Sequence, residues 1–240
     1  NLACSPAGEQ GTGRLMIARL RVGYDADFAP LTFAEDSTVA GLVIDVLNLS
    51  FGRIGCVAEY VAVALPEQEN AVAAGEIDAI AFKAVIPERA AAYDFSAPLT
   101  TSGAAWFNRT GMPCGERPSA GSRIATPGAG PLLAQLQRDY PGLVYLDVDT
   151  YAESLDAVIG GTADCAALNF HVGCYLANRD HPGGFNLPDA PFQKLPLALA
   201  VAKGANASLL RDFDTALAAL REDGSLDEIE ARWVRLEEPG

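Results

Sequence analysis

The chain has 240 residues, and 17 Lys and Arg against 31 Asp and Glu give a formal charge of −14. A hydrophobic fraction of 50% excludes a disordered acidic chain, and the shortage of basic residues excludes a phosphate-neutralising nucleic-acid surface. No run of about 18 apolar residues occurs, so nothing reads as a membrane-spanning helix.

Residues 1–18 are rich in Gly and small side chains and read as a flexible tether. Cys4 follows Leu2 and Ala3, a faint lipid-attachment pattern with Asn1 a poor match. Residues 20–24 alternate as a strand, and residues 25–30 read as the loop after it. Leu42, Val46 and Leu49 fall at helical spacing within 41–54. Valine-rich 57–63 is a second strand; Pro66 opens a helix that Gly75 closes. Residues 78–81 form a third strand, and Pro87 starts a short helix ending near Tyr93. Strand and helix in alternation predict a parallel α/β sheet.

The pattern then restarts. Strands are expected at 122–126, 143–146 and 164–169, and helices at 131–138, 151–159 and through His171 and Cys174. Residues 180–191 carry three Pro and two Gly and read as a loop. A strand at 197–201 and two helices follow; Ser225 and Glu228 form a capping box for the last. The expected organisation is one lobe from 19–98 and 197–240, a hinge at 99–103 and 192–196, and a second lobe from 104–191.

Cysteine usage shows no metal pattern: Cys56, Cys114, Cys165 and Cys174 form no C-x-x-C. Cys56 reads as a small buried hydrophobe. A disulfide among the other three is open, and spacing does not choose the pair. His171 and His181 sit beside no motif and read as structural. No cofactor or metal is expected.

Ligands of open α/β sheets bind beyond the carboxyl ends of the strands. Candidate positions there are Asp25, Phe28, Leu65, Phe82, Lys83, Ala84, Arg89, Thr126, Gly128, Ala129, Gly130 and Asn169. Gly128-Ala129-Gly130 before a helix can bring bare N–H groups against an anion.

Four stretches carry a resemblance, one of them the closing Leu220 to Trp233 segment with Asp223-Gly224-Ser225-Leu226. Gly75-Glu76-Ile77-Asp78-Ala79-Ile80 leads into Pro87-Glu88-Arg89 and then Asp94-Phe95-Ser96-Ala97-Pro98. Val22-Gly23-Tyr24-Asp25-Ala26-Asp27-Phe28-Ala29-Pro30 is the second, and Gly160-Gly161-Thr162-Ala163-Asp164 the third. Together they resemble the bacterial extracellular solute-binding proteins of the polar amino-acid type, which serve ABC importers. The resemblance covers about residues 20–233. It implies a two-lobed α/β, type II periplasmic-binding fold, with two doubly wound lobes on a two-segment hinge and a ligand in the interlobe cleft.

By that resemblance Arg89 grips the ligand α-carboxylate, for which its planar fork suits a bidentate pair. Phe28 and Leu65 wall the ligand side chain, and Asp25 touches it. Ala129 and Gly130 donate to the carboxylate from the second lobe, and Asn169 stands where the family places an acid for the α-ammonium. An Asn there brings no countercharge. Ala84 and Ile86 also replace hydroxyl residues, and the run from Asp78 to Arg89 is one residue shorter, which blurs the roles of Phe82 and Lys83. Lys83 is therefore a candidate second anion contact.

The resemblance implies a monomer that is no enzyme, is periplasmic or extracellular with Cys4 as candidate lipid anchor, and hands an amino acid or related carboxylate to an ABC permease. Two other readings stand beside it: an enzyme on the same scaffold, such as a cyclohexadienyl-type dehydratase, and a detached ligand-sensing domain of a receptor.

Overall fold

The computed structural model describes residues 18–112, 117–128 and 131–235. In chain order, β1 (Ala18–Tyr24) leads into a small antiparallel sheet of β2 (Asp27–Phe28), β3 (Thr32–Glu35) and β4 (Thr38–Ala40). Next come α1 (Leu42–Arg53), β5 (Cys56–Ala62), α2 (Gln68–Ala74), β6 (Ala79–Ala84), β7 (Tyr93–Phe95) and β8 (Thr100–Arg109). Then follow β9 (Arg123–Pro127), α3 (Pro131–Asp139), β10 (Val144–Val148), α4 (Tyr151–Ile159), β11 (Cys165–Asn169) and α5 (Phe170–Asp180). The chain closes with β12 (Phe185–Asn186), β13 (Gln193–Ala202), α6 (Ala207–Glu222) and α7 (Ser225–Arg235).

These elements form two compact units. The first runs through Thr101 and returns as Leu195–Trp233; the second is Ser102–Lys194 and the chain from Val234 on. The chain therefore crosses from unit to unit inside β8, inside β13 and near the end of α7. Val234 packs in the second unit's core, where its carbonyl accepts from Asn178 Nδ2 at 3.0 Å.

Each unit repeats one plan. In the first, β5, β1 and β6 are parallel neighbours, and β13 runs antiparallel beside β6. In the second, β10, β9 and β11 are parallel, and β8 runs antiparallel beside β11. The repeat extends to a side-chain clamp. Arg21 N–H and Nε donate to Asp78 Oδ2 at 2.9 and 3.1 Å, and Nη2 donates to Oδ1 at 2.8 Å. Arg123 N–H and Nε donate to Asp164 Oδ2 at 2.8 and 3.2 Å, and Nη2 donates to Oδ1 at 2.6 Å. In both places the aspartate N–H returns a bond to the arginine carbonyl at 2.8 Å. The acid just ahead of the third parallel strand thus pins the first strand's register in each unit.

The arginine hydrogen bond holds both carboxyls below the usual carboxylate range. A depressed folded pKa contributes stability that is complete above the unfolded value, about 4, and lost as pH falls through the folded pKa. The melting temperature is therefore expected to drop on acidification below about pH 4, and Asp78→Asn with Asp164→Asn is expected to flatten that acid limb. Melting curves between pH 7 and 2.5 test this; an unchanged limb in the double variant refutes it.

Core placement follows the apolar stripes. Leu209, Leu210, Phe213, Leu217 and Leu220 of α6 and Leu42, Val46, Leu47 and Phe51 of α1 meet in the first unit. Leu155 and Val158 of α4 with Phe170 and Cys174 of α5 fill the second. Cys56, Cys165 and Cys174 are buried, while Cys4, Cys114 and residues 1–17 of the expected tether lie outside the described residues, and Ala18 already begins β1.

Local readings differ in several places, three of which bear on the turns near the candidate positions and the helix ends. The helix expected from Pro87 to near Tyr93 is one 3₁₀ turn, Pro87–Arg89, and Tyr93 instead begins β7 on β13. Residues 25–30 include β2 as well as loop. The last helix is capped by Asp223, whose Oδ1 accepts from Ser225 N–H and Oγ at 3.0 and 2.6 Å, so Ser225 donates rather than closing a box with Glu228. The Ser225 and Arg53 bonds draw the Asp223 carboxyl down to about 2.

Candidate functional site

The parallel strands of each unit end at an edge where the connecting loops gather, and the sequence-derived candidates lie on these edges. In the first unit, Asp25 follows β1. Its Oδ1 accepts from Asp27 N–H at 2.9 Å, and its Oδ2 accepts from Leu65 N–H at 2.8 Å. Asp25 thus ties the loop after β1 to the loop after β5, and both of its oxygens already serve backbone donors. Phe28 and Phe82 pack ring on ring, centroids 5.7 Å apart. Leu65 and Ala84 are half-buried against the same core.

Arg89 sits on the 3₁₀ turn after β6. Pro87 supplies its first position, where a missing N–H costs nothing. The guanidinium is half-buried, and Nη1 donates to the Ala84 carbonyl at 3.1 Å. No carboxylate lies within ion-pair distance of it among the described residues. Its charge adds to the Lys83 bond that holds the Glu69 carboxyl down, and it opposes the burial that raises the Tyr93 hydroxyl.

Lys83 departs from expectation. Successive residues of a strand face opposite sides, so Lys83 turns away from the Phe28–Phe82 side. Its Nζ pairs with Glu69 at 2.7 Å and lies 5.5 Å from the centre of the Tyr93 ring. That bond is the first cause holding the Glu69 carboxyl below its usual range. A cation 9% exposed and paired inside the chain does not offer the second anion contact expected of it. Glu69 and its neighbour Gln68 were not singled out in the sequence. Gln68 Nε2 donates to the Val63 carbonyl at 3.0 Å, while its buried Oε1 has no partner among the described residues.

In the second unit, Thr126 and Gly128 lie at the end of β9. Thr126 is fully buried, and its Oγ1 has no hydrogen-bond partner among the described residues. Gly128 N–H donates to the Val148 carbonyl at 3.1 Å. Ala129 and Gly130, the expected anion donors, lie outside the described residues.

Asn169 ends β11 and caps α5: its Oδ1 accepts from Val172 N–H at 3.2 Å, satisfying an orphan donor of the first helical turn. Its Nδ2 is 3.0 Å from Ser102 Oγ, which in turn lies 3.0 Å from His171 Nδ1. A hydroxyl bonded to an imidazole is a catalytic pairing on chemistry alone. Here both residues are buried, with Ser102 1% and His171 0% exposed, so no substrate carbonyl reaches the hydroxyl. The pair braces β8 against α5.

No group of three or more His, Cys, Asp or Glu residues that could hold a metal ion occurs among the described residues. No helix among them is long and apolar enough to cross a membrane.

Comparison with known proteins bears on the family and the fold. A probable amino-acid ABC transporter-binding protein of Haemophilus influenzae is 27% identical over 95% of this chain and 90% of its own length. The ABC transporter glutamine-binding protein GlnH of Bacillus subtilis is 27% identical over 67% of this chain and 59% of its own length. The unliganded, open L-cystine solute receptor of Neisseria gonorrhoeae superposes with a TM-score of 0.77 at 23% identity, covering 91% of this chain and 93% of that one, a likeness of fold. The fold is accordingly the type II periplasmic-binding architecture. Residues 20–236 match the model of one family across nearly the whole chain, and the protein belongs to the bacterial extracellular solute-binding proteins, family 3.

Proposed function

We propose that this chain captures an amino acid or related small carboxylate outside the cytoplasm and hands it to the permease of an ABC importer. Family membership and the names of the two relatives support the transport role. The observation that carries the ligand class is Arg89. A half-buried guanidinium at the edge of the parallel strands, engaged by one carbonyl and no carboxylate, leaves most of its donor fork for an anion. Phe28 and Phe82 supply an apolar wall beside that edge, with Leu65 and Ala84 next to them. On the second unit Thr126, Gly128, Ala129, Gly130 and Asn169 are the residues through which the ligand is met. The protein works as a monomer in the periplasm or extracellular space, and lipid attachment at Cys4 would hold it at the membrane.

A thermal-shift screen of amino acids and amine-free carboxylates tests the reading, followed by calorimetry and product analysis of each hit. Saturable binding with the ligand recovered unchanged is expected. Conversion of the bound carboxylate overturns the reading in favour of an enzyme on this scaffold.

A further inference from the structure

Two cations stand at the end of β6, Lys83 and Arg89, and they are not equally available. Arg89 donates to the carbonyl of Ala84 and pairs with no carboxylate among the described residues. Lys83, the residue before Ala84, has its Nζ 2.7 Å from Glu69 Oε1, and Glu69 comes from the first turn of α2.

The ion pair and the guanidinium share one neighbourhood within the first unit. Lys83 Nζ lies 5.5 Å from the centre of the buried Tyr93 ring, and the Arg89 charge acts on both Tyr93 and Glu69. Faces alternate along a strand, so the pair lies across β6 from the Phe28–Phe82 wall. It therefore acts on a ligand by charge, not by contact. Asp25, the acid after β1, is held by the Asp27 and Leu65 N–H groups and pairs with neither cation.

Stability alone does not account for the Lys83–Glu69 pair, because an ion pair taken from water gains little over apolar residues of like size. The pair does set the charge felt at Arg89. An unpaired Lys83 would add a second positive field beside the guanidinium and draw in ligands with two carboxylates. Glu69 cancels that field.

We infer that Glu69 is a specificity-determining residue: by cancelling Lys83 it leaves Arg89 as the effective cation at the end of β6, and the protein takes ligands with one carboxylate in preference to dicarboxylates. The inference rests on the solute-binding reading above and names the charge class of its ligand.

Calorimetry on the intact protein tests it, with amide and acid probes of one shape. These are L-glutamine beside L-glutamate, L-asparagine beside L-aspartate, and the amine-free succinamate beside succinate. The readout is the preference, which is the dissociation constant of the acid divided by that of its amide. Wild-type protein is expected to prefer the amide. Glu69→Gln is expected to shrink that preference about fivefold, because it frees one positive charge near the ligand. Lys83→Met is expected to enlarge it about as much, because it frees one negative charge. A merely structural role for the pair would move both members of a probe pair alike and leave the preference where it was. A wild-type preference for the acid, a preference unchanged by Glu69→Gln, or one moved in the same direction by both substitutions overturns the inference and leaves the solute-binding reading standing. So does protein that binds neither member of any probe pair, with and without Glu69→Gln, while binding another amino acid or amine-free carboxylate. Wild-type protein that binds no carboxylate at all overturns both.

Discussion

Arg89→Ala is expected to raise the dissociation constant for the protein's best amino-acid ligand at least 100-fold while leaving its melting temperature nearly unchanged. The two halves of that result have separate causes. The guanidinium donates one bond within the chain, to the Ala84 carbonyl at 3.1 Å, and packs in no core cluster, so its removal costs the fold little. A bound carboxylate taken out of water beside it would lose its countercharge. Truncating one partner of a hydrogen-bonded charge pair at an interface costs about 2–5 kcal/mol, and about 2.7 kcal/mol is already 100-fold. Arg89→Lys separates charge from geometry. It keeps the cation and loses the planar fork, so a loss of about tenfold is expected. Calorimetry with the wild-type ligand gives both numbers. Wild-type affinity in the alanine variant would place the carboxylate elsewhere and remove the observation on which the ligand class stands.

The place of Arg89 just after β6 was legible because its signal is local: Pro87 starts the turn, and the strand before it ends at Ala84; the role expected of it comes from the resemblance. Gly75 was legible for the same reason, and it closes α2 at φ 72°. Lys83 was not. Every residue of β6 except Ala84 is buried, so the strand carries no alternation from which to tell its faces, and the side that Lys83 takes is set by α2 and Glu69. The β2–β4 sheet escaped because strands of two to four residues are too short for a period to show. Asn169 could have been recognised as a cap, since an Asn directly before a helix is a common N-cap. The placing of the Asp147 carboxylate against Gly128 could not be read: it depends on the β9–β10 register, and an acid on an exposed strand carries no mark of that register. What stood open to reading was the chemistry of single turns; what did not was the pairing of strands distant in sequence.

The same division predicts where stability is concentrated. Phe213 lies at the centre of the α6 stripe, fully buried, its ring centroid 5.0 Å from that of Phe51 on α1. Helix α6 follows the second unit in the chain, yet its apolar face completes the core to which β1 and α1 contribute. Phe213→Ala removes a ring from a close-packed site and leaves a cavity between two helices, at a cost of about 3–5 kcal/mol. For a chain of this size about 10 °C of melting temperature is expected to be lost. The two tryptophans make the loss local to read, because Trp233 belongs to the first unit and Trp106 to the second. Trp233 Nε1 donates to Asp45 Oδ2 at 2.8 Å and its ring meets Phe33 edge-on, so its emission follows the packing of α7 on the first unit. Trp106 stacks on Phe192 at 4.4 Å. Single-tryptophan versions of Phe213→Ala are therefore expected to show the larger downward shift in the Trp233 transition. A shift of under about 2 °C there would mean that the α1–α6 face repacks around the missing ring, and that the closing helices contribute less to the first core than their burial implies.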